Sequence, residues 1–284
     1  MIRPAPRKTA ILAATAVVLA LVAVAATADS PRVVSLNPSL TQTLLALDAE
    51  AMIVGVDEYS AQIEPRVRAL PRVGGLFNPS LEAIVALAPS FVALVPSAQQ
   101  RALRDRLEAL DIEVLALSNH SRDEVLHSIE ALGDRVGRGA AARKRVTEIR
   151  TAWTDAEARA AATPRVRAVL VLQRDPLYVV GGGSYLDAML HAAGAENAAR
   201  EFAEAYPRVS LEWLIAAAPD LILDAADPPD EAADHWARWS SLPAVSSGRV
   251  RIVEKDVTLP GPYLDRALGR LESHIDVATA SERP

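Results

Sequence analysis

The chain has 284 residues, half of them hydrophobic and 23% charged, which specifies one large or two ordinary packed domains and excludes a disordered chain. Its 30 Lys and Arg against 36 Asp and Glu give a net charge of −6, with no basic tract at a terminus, and this argues against nucleic-acid binding. Cysteine is absent, so thiol nucleophiles, protein-ligated iron–sulfur clusters, cysteine-bound zinc and disulfides are excluded together.

Residues 1–28 form a separate object. Arg3, Arg7 and Lys8 precede an uncharged run from Thr9 to Ala28 that closes on Ala26-Thr27-Ala28. A positive leader, an apolar stretch and a small-x-small end specify an export signal cut after Ala28. The uncharged run is also long enough to remain as an uncleaved anchor. A lipid anchor is excluded, because there is no Cys to carry it. Without the three leader cations the chain has 27 basic against 36 acidic side chains, a net of −9.

Short apolar β-branched runs follow at Val33–Leu36, Ile53–Val56, Phe91–Val95 and Val114–Leu117, then at Ala168–Leu172, Leu221–Leu223 and Val250–Val253. Leu40, Leu44, Leu47 and Leu81, Ile84, Val85, Leu87 keep helical spacing between them. Strands alternating with helices predict mostly parallel sheets covered on both faces. The strand series is interrupted from Ser121 to Thr163 by an Ala-, Arg- and Glu-rich stretch without proline. This predicts two helices broken near Gly137–Gly139, the second over about Ala140–Ala161 and roughly 30 Å long. Such a helix between two α/β halves is a rigid strut. The expected division is residues 29–120, a helical connector over 121–163, and residues 164–284.

An internal echo supports two related halves. Ser80-Leu81-Glu82 through Pro89 is matched by Ser210-Leu211-Glu212 through Pro219 at a constant offset of 130, with a strand after each copy. Asn37-Pro38-Ser39-Leu40 and Asn78-Pro79-Ser80-Leu81 both read as helix starts, with Asn as cap and Pro at the first helical position.

These segments, in this order and spacing, resemble the periplasmic substrate-binding proteins that serve ABC importers of iron chelates and cobalamin. The similarity runs over residues 32–277. It is carried by Arg32 through Thr41, Val54-Gly55-Val56-Asp57, Pro71 through Gly75, Asn78 through Pro89, Val180 through Ser184, Gly194-Ala195-Glu196-Asn197, Trp239 through Val245 and Gly248-Arg249-Val250. The cobalamin-binding branch is the most similar. The resemblance implies two Rossmann-like α/β lobes with mostly parallel sheets, joined by a long backbone helix. It also implies a periplasmic monomer, without catalysis or intrinsic cofactor, that captures a metal chelate between its lobes and delivers it to an ABC permease in the cytoplasmic membrane. One glutamate per lobe docks on the permease in that family, and the matching positions are Glu82 and Glu212. Ligand contacts fall on Ser39, Tyr59, Phe77, Tyr178, Tyr206 and Tyr263. Tyrosine suits a flat chelate, since its ring packs on apolar surface and its hydroxyl finds a polar group.

Two departures bear on the ligand. Leu76, Val95 and Tyr206 stand where cobalamin binders commonly place Trp, which leaves haem, a ferric siderophore or another corrinoid open. Gly261-Pro262-Tyr263 lacks the arginine that the family often carries there. Gly181-Gly182-Gly183-Ser184 before the helix from Tyr185 reads as a tight turn bringing backbone close to a ligand. His120, His127, His191, His235 and His274 form no His-x-x-His or His-x-x-x-His pair, which disfavours a bare-metal receptor. An extracytoplasmic metal-cofactor enzyme on the same scaffold is the alternative from another class, and no convergent acid–base set supports it. Arg143-Lys144-Arg145 reads as a solvated helix face.

Overall fold

The computed structural model describes residues 30–98 and 100–280. The export signal expected over residues 1–28 lies outside them. The first sheet contains β1 (Val33–Ser35), β2 (Ile53–Val56), β3 (Phe91–Leu94) and β4 (Glu113–Ala116) in the order β2-β1-β3-β4, with all neighbours parallel. Helices α1 (Pro38–Ala46), α2 (Glu58–Ile63), α3 (Leu81–Ala86) and α4 (Arg101–Glu108) connect them. β1 and β3 at the centre are fully buried, as a parallel sheet between helix layers requires, while the edge strand β4 is partly exposed.

The connector is α5 (Arg122–Arg135) and α6 (Gly139–Ala160). Ser121 and Glu124 form a reciprocal capping box that starts α5. Gly137, at φ 68, supplies the left-handed residue that ends it. Helix α6 buries Ala142, Val146, Ile149, Trp153, Ala156 and Ala160, a single stripe at alternating spacings of four and three.

The second sheet contains β5 (Val166–Arg174), β6 (Leu177–Val179), β7 (Ala195–Asn197), β8 (Leu221–Asp224) and β9 (Val250–Ile252). Its path is β6-β5-β8-β9, with β7 also on β5; only the β5–β6 hairpin is antiparallel. Around it lie α7 (Tyr185–Ala192), α8 (Leu211–Ala217), α9 (Ala232–Ala237), α10 (Pro243–Ser246) and α11 (Leu264–Ala280). The expected two lobes of mostly parallel sheet with a long helix between them are therefore observed. Two strands differ from the reading of the sequence: β6 and β7 are three residues each, and Ala195-Glu196-Asn197 has no β-branched residue to announce a strand.

Two local expectations are corrected. Asn37 caps α1 through its side chain, accepting from Ser39 N at 3.0 Å. Asn78 does not cap α3: that role falls to Ser80, whose Oγ accepts from Ala83 N at 3.2 Å, while Pro79 pairs with Gly74 in an isolated bridge. Nor is the run at 143–145 a uniformly solvated face. Arg143 and Lys144 are exposed, but Arg145 is 17% exposed and ties the strut to the second lobe through Asp265 and the Pro262 carbonyl, the latter at 2.6 Å.

Candidate functional site

The segments that follow β1 and β2 meet those that follow β9 at the junction of the lobes, the place where a groove would open. Two contacts define that junction. Ser39, at the start of α1, lies against Gly261; a Cβ placed there would stand 3.5 Å from the Ser39 carbonyl oxygen. Tyr59, in the first turn of α2, has the Lys255 ammonium 6.0 Å from its ring centre. Tyr263, two residues past Gly261, carries Arg266 of its own lobe over its ring at 4.7 Å. Ser39 and Tyr59 thus meet the opposite lobe, and Tyr263 lies two residues from the Gly261 contact. Phe77, Tyr178 and Tyr206 make no polar contact with the opposite lobe among the described residues. Phe77 stands 67% exposed on its loop. Tyr178 is not in a loop but inside β6, paired with Gln173 and bridged to Arg208. Tyr206 is half-exposed on the loop after β7.

Lys255 and Asp227 were not singled out in the sequence, and they charge this groove. Lys255 Nζ donates to Asp227, whose carboxylate holds the ammonium above its usual range against the opposing effect of burial, with Tyr59 adding to the shift. The pair brings one cation and one anion to the point where the lobes approach.

The first lobe's side of the groove rests on a buried hydroxyl relay. Thr41 Oγ1 lies 2.8 Å from Ser35 Oγ and 3.1 Å from Ser60 Oγ, and Ser60 donates to the Asp57 carboxyl, which also caps α2 through Ser60 N at 2.9 Å. All four residues are buried. Burial pushes the Asp57 pKa above the ordinary carboxylate value, and the bonds from Ser60 only partly oppose it. A raised folded value means that the folded state holds the proton more tightly, so stability falls as pH rises from the ordinary carboxylate value through the folded one. Asp57→Asn keeps the cap and removes the titration. The melting temperature of the variant relative to the parent should therefore rise between pH 4 and pH 7; a difference that stays constant with pH would refute the assignment.

The second lobe's side rests on a buried ion pair. Arg174 Nε donates to Asp224 at 2.8 Å, Trp236 Nε1 donates to the same oxygen at 2.7 Å, and Ala226 N reaches the other at 3.0 Å. Arg174 also donates to the carbonyls of Ala226 and Pro228, at 2.9 and 2.8 Å. This clamps the 225–228 loop that carries Asp227 toward the groove.

The first two glycines of the triglycine turn pack against their own lobe. A Cβ on Gly181 would stand 2.1 Å from the Glu204 carbonyl oxygen, and one on Gly182 would stand 2.2 Å from that of Arg200. Their amides are already given to Ala205 and Phe202 carbonyls at 2.9 and 3.1 Å. The close approach the sequence signalled is thus to the 200–205 loop of the same lobe.

A cavity of about 540 Å³ lies at the far end of the second lobe, where β5 begins, lined by Arg159, Arg165, Asp220 and Glu272 among others. Arg159 pairs with Glu272, and Arg165 is spent on the carbonyls of His191 and Ala195. None of the predicted ligand residues lines it. Among the described residues no group of three or more His, Asp and Glu is placed to hold a metal ion, and no helix is long and apolar enough to cross a membrane.

The repeated helices are alike in detail. Glu82 and Glu212 are both exposed, and their carboxylates are held below the usual range by their own backbone N–H groups first and then by Ser80 and Ser210. Ala88 and Ala218 both close the motif in the left-handed conformation, at φ 42 and 43.

The sequence pattern of the family described as periplasmic binding protein matches residues 33–257. Among curated proteins the chain is 24% identical over 247 residues to a vitamin B12-binding protein of Vibrio parahaemolyticus, covering 86% of this chain and 89% of that one. It is 28% identical over 263 residues to a cobalamin-binding protein of Halobacterium salinarum, covering 86% and 69%. Among solved structures, the periplasmic vitamin B12 binding protein BtuF of Vibrio cholerae superposes with a TM-score of 0.77 at 22% identity, over 88% of this chain and 98% of that one. The periplasmic heme-binding protein RhuT of Roseiflexus sp. RS-1 superposes with a TM-score of 0.77 at 25% identity, over 88% and 99%.

Proposed function

We propose that this chain, which belongs to the periplasmic binding protein family, is the extracytoplasmic receptor of an ABC importer. It captures a metal chelate in the groove between its lobes and hands it to a permease in the cytoplasmic membrane. A corrinoid is the first ligand, with haem or a ferric siderophore next; relatives carry both the cobalamin and the heme names. The observation that carries the reading is the junction of the lobes. The segments after β1 and β2 meet those after β8 and β9 there, and Tyr59 and Tyr263 stand near it with Lys255 and Asp227 as a ring-and-charge set suited to a flat, polar-rimmed ligand. Ser39, Phe77, Tyr178 and Tyr206 complete the proposed contact set. In this reading the lobes are residues 29–120 and 164–284, the connector is 121–163, and Glu82 and Glu212 meet basic residues of the permease. The protein acts as a monomer, exported by its N-terminal segment, and catalyses nothing.

A thermal-shift and absorbance screen of the chain from residue 29 onward tests this directly. Cobalamin, cobinamide, haem and ferric siderophores are compared with free zinc and manganese. At a hundredfold excess over Kd the true ligand stabilises by about 2.7 kcal/mol. Stabilisation by free metal ions alone would replace the reading with a bare-metal receptor, and turnover of an added chelate would replace it with an enzyme.

A further inference from the structure

Six large apolar side chains are exposed among the described residues: Phe77, Val85, Leu110, Tyr206, Ile215 and Ile252. Two of them, Val85 and Ile215, are separated by the 130-residue offset of the internal repeat. Each lies three residues after the repeated glutamate, so it stands beside that carboxylate on one helix face. The environments match as well. From Leu81 to Ala88 and from Leu211 to Ala218 the sequence of half-buried, exposed and buried positions is identical, position by position. In α3, Ile84 packs into the first lobe with Leu81 and Leu87 beside it; in α8, Leu214 does the same with Leu211 and Trp213. Glu82, Val85 and Ala86 therefore form one outward patch, and Glu212, Ile215 and Ala216 form the other. Val85 is 39% exposed and Ile215 is 43% exposed.

Neither Val85 nor Ile215 belongs to an apolar cluster of its lobe. A β-branched side chain is a poorer choice than Ala, Leu, Lys or Glu at an exposed helix position, because its χ1 is restricted against the preceding turn. That choice is made twice, at equivalent places, next to equivalent acids. We infer that each docking knob is amphipathic: the permease holds this chain by an apolar contact at Val85 and Ile215 as well as by the charges of Glu82 and Glu212. The complementary surface then has two equivalent recesses, each setting a basic residue beside an apolar hollow of aliphatic size. A partner built of two equivalent halves supplies such a pair. This rests on the docking role proposed above and adds to it a second kind of force, one that salt does not screen.

The test uses the full chain, fluorescently labelled, and right-side-out membrane vesicles from its native host lacking its own copy. The parent should bind saturably and should retain saturable binding at 0.5 M KCl. Val85→Asn with Ile215→Asn, charges intact, should weaken binding at least tenfold at low salt and abolish it at 0.5 M KCl, with melting temperature unchanged. Glu82→Arg with Glu212→Arg is the companion. If the companion loses binding while the asparagine pair binds like the parent, the inference is overturned and the docking role stands. If neither pair differs from the parent, or the parent itself does not bind saturably, both fall. Sedimentation of the free chain supplies the remaining outcome. A dimer that the asparagine pair dissolves would assign this face to a second copy and overturn the permease contact.

Discussion

Asp224→Ala should lower stability by about 3–5 kcal/mol, the cost of leaving a buried charge without its partner. Arg174 and Asp224 have side chains only 6% and 0% exposed, so water cannot replace what is lost. The carboxylate accepts from Arg174, from the Trp236 indole and from Ala226 N, and its removal orphans all three donors inside the lobe. For a chain of this size that corresponds to a fall in melting temperature on the order of 10 °C. The double variant Asp224→Ala with Arg174→Met should recover a large part of the loss, because it removes the stranded guanidinium as well as the carboxylate. Chemical denaturation of the two variants measures both numbers. A single-variant loss below about 1 kcal/mol would mean that the pair is hydrated in solution, contrary to its burial. The effect should also reach the groove. Arg174 fixes the Ala226 and Pro228 carbonyls on either side of Asp227, so the variant should weaken ligand binding beyond its effect on stability.

Charge reversal at both repeated glutamates should abolish import while leaving the groove untouched. Glu82→Arg with Glu212→Arg is expected to reduce uptake of the chelate identified by the screen at least tenfold in the native host, with the affinity of the isolated chain for that chelate within twofold of the parent. Exposed ion pairs contribute little individually, and deletion to alanine would test the idea weakly. Reversal is stronger, because it sets like charges against each other at both contact points and so suppresses productive docking. Each single reversal should give a partial defect, and the two defects should multiply, since the residues stand on separate lobes and do not touch each other. Unchanged uptake by the double variant would remove these residues from docking altogether.

Much of the fold was legible because it rests on repeating local signals. β-branched runs between helical spacings marked β1–β4, β5, β8 and β9, and the stripe from Ala142 to Ala160 is the amphipathic period that marks a strut. β7 was silent in the sequence because Ala195-Glu196-Asn197 is a strand by pairing with Val166–Ala168, and Asn197 is fixed there by bonds to the Val180 carbonyl and Asp187. The candidate site was less legible. Tyr59 and Tyr263 could be found as aromatics after strands in a chain poor in them, although Tyr59 lies in the first turn of α2. Lys255 and Asp227 could not, since they are 28 residues apart in unpatterned segments and meet only because β8 and β9 end side by side. Asp57 carried a readable signal, an acidic residue between a strand and a polar helix start, which marks an N-cap. Its burial comes from Ser35, Thr41 and Ser60 and has no local signature.

The lobes are alike in architecture, but the apolar interior is not divided along the same line. One buried cluster runs from Leu47 of the first lobe through Val125, Leu126 and Ile129 of α5 and the inner stripe of α6 to Leu186, Leu223 and Leu271 of the second. The other end of α5, at Leu132 and Val136, is sealed into the first lobe's own interior. Excising either half would expose a fresh-cut apolar wall. Recombination between relatives would therefore exchange such a receptor whole, and specificity would evolve by altering the rim of the groove instead of swapping modules.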